Sequence, residues 1–182
     1  MGAALDIISG LRLRPMDRKD WPLMERWLNQ IFIRRWLGRP EPWISEIRAA
    51  DGDPSAWIRH FIAEIALPQA GRDDSEISMM PIGFAQYYEC LRTPIGYPWQ
   101  DERSGTFGID YFIGEVKYLG RGLGSRLVQL ICDKLIAERA SYIIADPFPD
   151  NYRSIRVLKK AGFALDPDTR LYKRIVNHSD LF

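Results

Sequence analysis

The residues best suited to chemistry stand in the run Leu119-Gly120-Arg121-Gly122-Leu123-Gly124-Ser125, where a long helix begins. A helix start leaves backbone N–H groups without internal partners and carries about half a positive charge. Glycines remove the Cβ atoms that keep a phosphate at a distance, and Arg121 adds a full charge. The run therefore describes an anion cradle that fits a pyrophosphate. Three phosphate motifs compete for it. A Walker loop needs Lys followed by Ser or Thr after its last glycine, whereas Gly124 is followed by Ser125-Arg126. A dinucleotide fold needs a strand running straight into the glycines. Here Glu115 to Leu119 intervene, and too little chain follows for a second mononucleotide half. The coenzyme A turn wants R/Q-x-x-G-x-G/A at a helix start after a strand. Gly122 and Gly124 satisfy it, and Leu119 departs at the first position.

The elements that must hold this cradle follow from periodicity. Leu11 to Arg14 alternates apolar and basic residues, as a half-buried edge strand does. Asp17 caps a helix on which Trp21, Met24, Trp27 and Leu28 recur, and Ile31 to Leu37 reads as a second short helix stopped by Gly38 and Pro40. Trp57 to Ala66 reads as a helix end passing into a strand, and Gln69 to Ser75 as a hairpin loop. Ile82 to Tyr88 is an aromatic-rich strand. Arg92 to Ser104, with Pro94, Gly96 and Pro98, is a loop, and Gly105 to Ile113 is another strand. Leu123, Leu127, Leu130, Ile131 and Leu135 share one face of a helix from Leu123 to Ala140. Tyr142 to Ala145 is a short strand. Asp150 or Asn151 caps a helix closing at Gly162, and Phe163 to Val176 forms two strands joined at Pro167-Asp168. The order predicts a single α/β domain over residues 1–182, with a core from about 10 to 177 around one mixed sheet flanked by helices.

Composition narrows the function classes. At 182 residues, 46% hydrophobic and 27% charged, the chain can bury roughly two-thirds of its unfolded surface without a disulfide or metal staple. Cys90 and Cys132 lie in apolar stretches with no CxxC partner, so buried thiols in a reducing, cytoplasmic compartment are expected. Two histidines, His60 and His178, are too few for a conventional zinc site, and no metal is implied. A net charge of +1 leaves no footprint for nucleic acid or an anionic membrane. Met1 to Asp6 has neither the basic start of a signal peptide nor a myristoylation pattern, and no apolar run approaches the ~20 residues of a membrane helix. The sequon Asn177-His178-Ser179 is a chance match in a cytoplasmic protein.

Four stretches together give the chain a resemblance. They are Leu11 to Met16 leading to Trp27-Leu28-Asn29; Pro81 to Gln86; Gly108-Ile109-Asp110 with Leu119 to Gly124; and Asp146-Pro147-Phe148-Pro149-Asp150-Asn151 running to Ala161-Gly162-Phe163. On these residues the sequence resembles the GNAT superfamily of N-acetyltransferases, and within it the aminoglycoside 6'-N-acetyltransferases of the type Ib kind. Leu119 in place of Arg or Gln is usual in that branch. The resemblance implies a sheet splayed between its fourth and fifth strands, with the pantetheine arm of acetyl-CoA in the gap. Gly108, Ile109, Tyr111, Phe112 and Ile113 would offer backbone groups to the arm, and Leu119 to Ser125 would hold the pyrophosphate. Asn151 and Ser154 would reach the arm or a water. Asp110 matches the carboxylate used near the acceptor amine, and Asp146 another acidic position of that site. The family's tyrosine one turn before Ala-Gly-Phe, an acid toward the leaving sulfur, is Leu158 here.

The chemistry so implied is direct transfer of acetyl to a small-molecule primary amine, by a monomer or weak homodimer. Asp110 is the carboxylate expected to accept or relay the amine proton; without the resemblance it reads as a solvated strand-end carboxylate. Trp36, Tyr88, Tyr97 and Trp99 are candidate aromatic walls for a cationic or sugar-like acceptor, with Gln86 beside them, whereas Trp21, Trp27 and Trp57 read as packing residues. Asp101 and Glu102 are candidates to attract a polyamine, or a solvated loop. A siderophore-type acyltransferase of hydroxylysine or lysine and an acetyl-CoA-binding module without turnover are the competing functions.

Overall fold

Asp17 caps a single 3-10 turn (Arg18–Asp20) rather than the helix expected of it: its side chain accepts from the Lys19 N–H at 2.9 Å while Asp20 accepts from the Asp17 N–H at 3.0 Å. The helix beyond has Asp20 at its N-cap with no side-chain bond. Helix α1 (Trp21–Leu28) follows and buries Met24, Trp27 and Leu28. Helix α2 (Ile31–Leu37) stops at Gly38, whose φ of +75° ends it in the left-handed half of backbone space. The computed structural model describes residues 7–68, 77–97, 99 and 101–176. The expected hairpin loop at Gln69 to Ser75 lies outside them.

The helix that follows Gly38 was not expected. Helix α3 runs Pro40–Ala50, because a proline in the first turn gives up an N–H that would have no helical partner anyway. Pro40 thus opens a helix where the sequence reading had it only closing the one before. Trp57 ends no helix: residues 51–57 are turn and bend, and strand β2 (Ile58–Pro68) starts immediately after. Strands β1 (Arg12–Pro15), β3 (Ile77–Glu89), β4 (Thr106–Ile113) and β5 (Tyr142–Ala145) fall close to the predicted places. Helix α4 (Leu123–Ala137) ends before Ala140, because Arg139 turns left-handed at φ +63° and Ala140 N–H closes back on Leu135 O at 2.9 Å. Helix α5 (Tyr152–Lys160) and strands β6 (Ala164–Leu165) and β7 (Tyr172–Ile175) complete the order.

The strands form one seven-stranded sheet in the order β1-β2-β3-β4-β5-β7-β6, with β4 and β5 the parallel pair. Side-chain alternation sends Phe61, Ala63, Ala85, Tyr87, Ile109 and Tyr111 toward α4 and α5. Ile62, Phe84 and Phe112 pack instead under α1, α2 and α3. The decisive irregularity is the β4–β5 ladder. It pairs only Thr106–Gly108 with Tyr142–Ile144, so Ile109 to Ile113 has β3 on one side and an unpaired edge on the other.

Gly108, at the mouth of that opening, approaches Tyr88 so closely that a Cβ would overlap the phenol ring. The ring has no route of escape, since Trp57 and Trp99 flank it at centroid distances of 5.9 and 5.4 Å. Gly108→Ala is expected to destabilise the fold by roughly 1–3 kcal/mol, the usual range for overpacking, read from the urea midpoint at unchanged slope.

Candidate active site

The glycine run makes the turn that the sequence anticipates. Gly120 and Gly122 take φ of +74° and +83°, and α4 starts at Leu123 without any side-chain cap. Among the described residues no backbone oxygen accepts from Gly122, Leu123 or Gly124 N–H, whereas Ser125 and Arg126 N–H already bond Gly122 O. Nothing stands within 4 Å of a Cβ built on Gly120. Free donors, a helix N-terminus and open space satisfy what an oxyanion needs. Arg121 is exposed, its guanidinium 5.8 Å from the Tyr118 ring centre, and Leu123 is buried beneath the turn.

From the turn a cavity of about 580 Å³ runs along the unpaired edge of β4 to Asp110. Ile109, Tyr111, Phe112, Ile113, Leu119, Gly120, Gly122, Gly124, Ser125, Asn151 and Ser154 line it, as do Trp36 and Asp146. Asn151 caps α5: its Oδ1 accepts from Ser154 N–H at 3.2 Å, which leaves its NH2 as the group it can offer the cavity. Arg153 and Arg156, not foreseen, add two cations to the same wall. The signal for them was their place on the polar face of a short helix opening at a predicted cap.

At the far end carboxylates gather. Gln86, directly opposite Asp110 in the β3–β4 register, is buried and donates Nε2 to Asp110 Oδ2 at 2.9 Å. Burial pushes the Asp110 carboxyl up to about 6; the Gln86 bond opposes this and the Asp146 charge adds to it. Burial likewise raises Asp146. Glu46, from the unforeseen α3, shares the Gln86 side chain. Its carboxyl is pushed up to about 7, first by burial and then by the Asp110 charge. Sequence reading missed Glu46 because it missed the helix that carries it.

The aromatic walls divide. Trp36 lies in the cavity beside Phe148, ring centres 6.3 Å apart. Tyr88, Tyr97 and Trp99 form a separate cluster with Trp57, which packs as expected, though just before β2 rather than on a helix. That cluster adjoins the carboxylates: burial raises both phenols, and the charges of Asp110 and Glu46 raise them further. Asp101 stays exposed on its loop and does not line the cavity. Glu102 is engaged elsewhere, 2.7 Å from Lys173, which also meets Asp166 at 3.0 Å. Leu158 is wholly buried in the core. Among the described residues no group of His, Cys, Asp and Glu could hold a metal ion, and no helix is long and apolar enough to cross a membrane.

An anion-receiving helix start that opens into the same cavity as a cluster of carboxylates is the layout of an enzyme moving a group from an anionic donor to a basic acceptor. Residues 17–171 match the family model described as an acetyltransferase (GNAT) domain, and the chain belongs to that family of N-acetyltransferases. Aminoglycoside N(6')-acetyltransferase type 1 of Klebsiella pneumoniae is 32% identical over 156 residues, covering 83% of this chain and 72% of that protein. Two solved structures of aminoglycoside acetyltransferase AAC(6')-Ib are each 27% identical over 94% of this chain. The one with paromomycin and acetyl-CoA superimposes at a TM-score of 0.73 over 96% of its own chain. The one with coenzyme A and kanamycin does so at 0.70 over 98%.

Proposed function

We propose that this chain transfers the acetyl group of acetyl-CoA directly to a primary amine of an aminoglycoside, at the 6' position. The observation that carries the reading is one cavity with a free-donor glycine turn at one end and Asp110, Asp146 and Glu46 at or beside the other. The turn residues Gly120 to Ser125 hold the pyrophosphate, Arg121, Arg153 and Arg156 supply charge to the phosphates, and Asn151 with the free edge of β4 receives the pantetheine arm. The carboxylates attract the polycationic acceptor, and Trp36, with the cluster of Tyr88, Tyr97 and Trp99, supports its sugar rings. The relatives named above act on, or are solved with, such acceptors.

An amine of pKa near ~10 is only about one part in a thousand deprotonated at neutral pH. Asp110, raised to about 6, is a better match to that proton than a carboxylate at its ordinary value. Base catalysis supplies ~10²–10⁴, and alignment of the two reactants supplies more. Neither thiol competes as an acyl carrier. Cys90 and Cys132 are buried outside the cavity, and burial pushes them to about 12 and about 11. Two free thiols also support a reducing compartment, and we infer a cytoplasmic, single-domain enzyme. Thiol release from acetyl-CoA tests the reading across kanamycin, spermidine, hydroxylysine and a lysine peptide. Kanamycin is expected to give the highest kcat/KM; turnover confined to hydroxylysine or the peptide overturns the acceptor assignment.

A further inference from the structure

Tyr111 follows Asp110 on β4, so the two side chains leave opposite faces of the strand. Asp110 meets Gln86, and Tyr111 packs toward α4 and α5. The Tyr111 hydroxyl stands 2.8 Å from Ser154 Oγ and 3.4 Å from the Ser154 carbonyl, in the first turn of α5. Both residues line the cavity between the carboxylates and the glycine turn. One turn further along α5, Leu158 is apolar and wholly buried, so the helix offers no donor there. Of the two tyrosines that line the cavity, Tyr118 donates its hydroxyl to Met80 Sδ at 3.4 Å, whereas the Tyr111 phenol is half-buried, held by a serine, and sits in a segment whose edge is free.

Taking the cavity as the acetyl-CoA site proposed above, a thioester with its phosphates on the turn and its acetyl carbon toward Asp110 directs its sulfur along this stretch. We propose that the Tyr111 hydroxyl donates a hydrogen bond to the departing sulfur, with Ser154 positioning the phenol. With Ser154 Oγ–H donating to the phenol oxygen, the phenol proton, which otherwise makes only the long 3.4 Å bond to the Ser154 carbonyl, turns from that carbonyl to the sulfur. In the transfer the amine nitrogen forms a bond to the acetyl carbon, and the carbon–sulfur bond breaks with its electron pair leaving on sulfur. The amine proton goes to Asp110, directly or through water. The phenol keeps its own proton. Burial holds Tyr111 at about 12, the Ser154 bond opposing, while a thiol titrates near ~8.5, so full transfer is uphill on the order of a thousandfold. A neutral donor is enough, because its bond strengthens as charge builds on sulfur and so favours the transition state over the ground state.

The test joins calorimetry, kinetics and spectroscopy on Tyr111→Phe, which keeps the ring, and Ser154→Ala. Coenzyme A affinity is expected to stay within about twofold, and kcat to fall about tenfold or more in Tyr111→Phe and less in Ser154→Ala. The ultraviolet absorbance of the thiolate, titrated in the binary complex with coenzyme A, is the readout that a purely structural role does not move. Bound coenzyme A is expected to ionise at lower pH than free coenzyme A in the wild type, and Tyr111→Phe to return it toward the free value. A folded Tyr111→Phe variant that binds coenzyme A with wild-type kcat and wild-type thiol titration overturns the proposal alone. A wild-type protein that binds no coenzyme A overturns the acetyl-CoA reading beneath it.

Discussion

Asp110→Asn is expected to lower kcat by ~10²-fold or more while coenzyme A affinity stays at its wild-type value. Asparagine keeps the size of the side chain and can still accept from Gln86 Nε2, so the local packing has no reason to change. What it loses is the charge and the basicity. The glycine turn lies at the other end of the cavity and works through backbone donors, which the substitution does not touch. If Asp110 only attracts the cationic acceptor, KM for the amine rises and kcat holds, the pattern of lost uniform binding. The pH profile separates the two. Burial raises Asp110 to about 6, and the basic form predominates only above that value, so kcat/KM of the wild type should fall as pH drops through about 6. That limb should vanish in the Asn variant. Glu46 provides the contrast. Glu46→Gln should act mainly on KM, because Glu46 faces Asp110 through Gln86 and not through the cavity wall. An Asn variant at position 110 with wild-type kcat and KM removes Asp110 from the mechanism.

What could be read in the sequence was local, and what could not was held by distant partners. The glycine run, the Asn151 cap and the helices beginning at Leu123 and Tyr152 obey rules that act within one or two turns, and they fall where expected. Asp110 was legible only through the resemblance, because its carboxyl is raised first by burial under distant segments and then by the Asp146 charge, against the opposing bond from Gln86, 24 residues away. Helix α3 failed for a local reason: proline carries opposite meanings at a helix end and a helix start, and Pro40 serves both. Glu46 was lost with it. Glu102 illustrates the remaining difficulty. As a loop carboxylate it reads as free to meet a polyamine, yet Lys173, 71 residues later, meets it at 2.7 Å. The Tyr111–Ser154 pair, 43 residues apart, is equally invisible to spacing.

Gly122→Val should abolish most of the coenzyme A affinity while leaving the protein folded. Gly122 holds φ at +83°, a conformation that costs an L-residue roughly 1–2 kcal/mol and a β-branched one more. Its Cβ would also sit 3.3 Å from Ile8 Cδ1, a crowded contact that the flexible end of a side chain can yield to. The fold can bear this, because the turn is exposed and α4 is anchored further along by Leu127, Ile131 and Leu135. The cradle cannot, because relieving the strain rotates the peptide groups whose N–H donors converge, and a branched side chain enters the space a phosphate needs. With free donors and the helix dipole both displaced, Kd for coenzyme A is expected to rise by ~10²-fold, about the effect of losing two charge-assisted hydrogen bonds. Gly124→Ala is the internal control. Gly124 has no positive φ, and a Cβ there meets Val157 Cγ2 at an ordinary 3.7 Å, so backbone strain is absent and only the close approach to the ligand is tested. A tenfold loss at Gly124→Ala beside a hundredfold loss at Gly122→Val assigns the larger part to backbone geometry. Calorimetry giving wild-type affinity for a folded Gly122→Val protein removes the turn from coenzyme A binding, and with it the polarity of the cavity from which the direction of transfer was drawn.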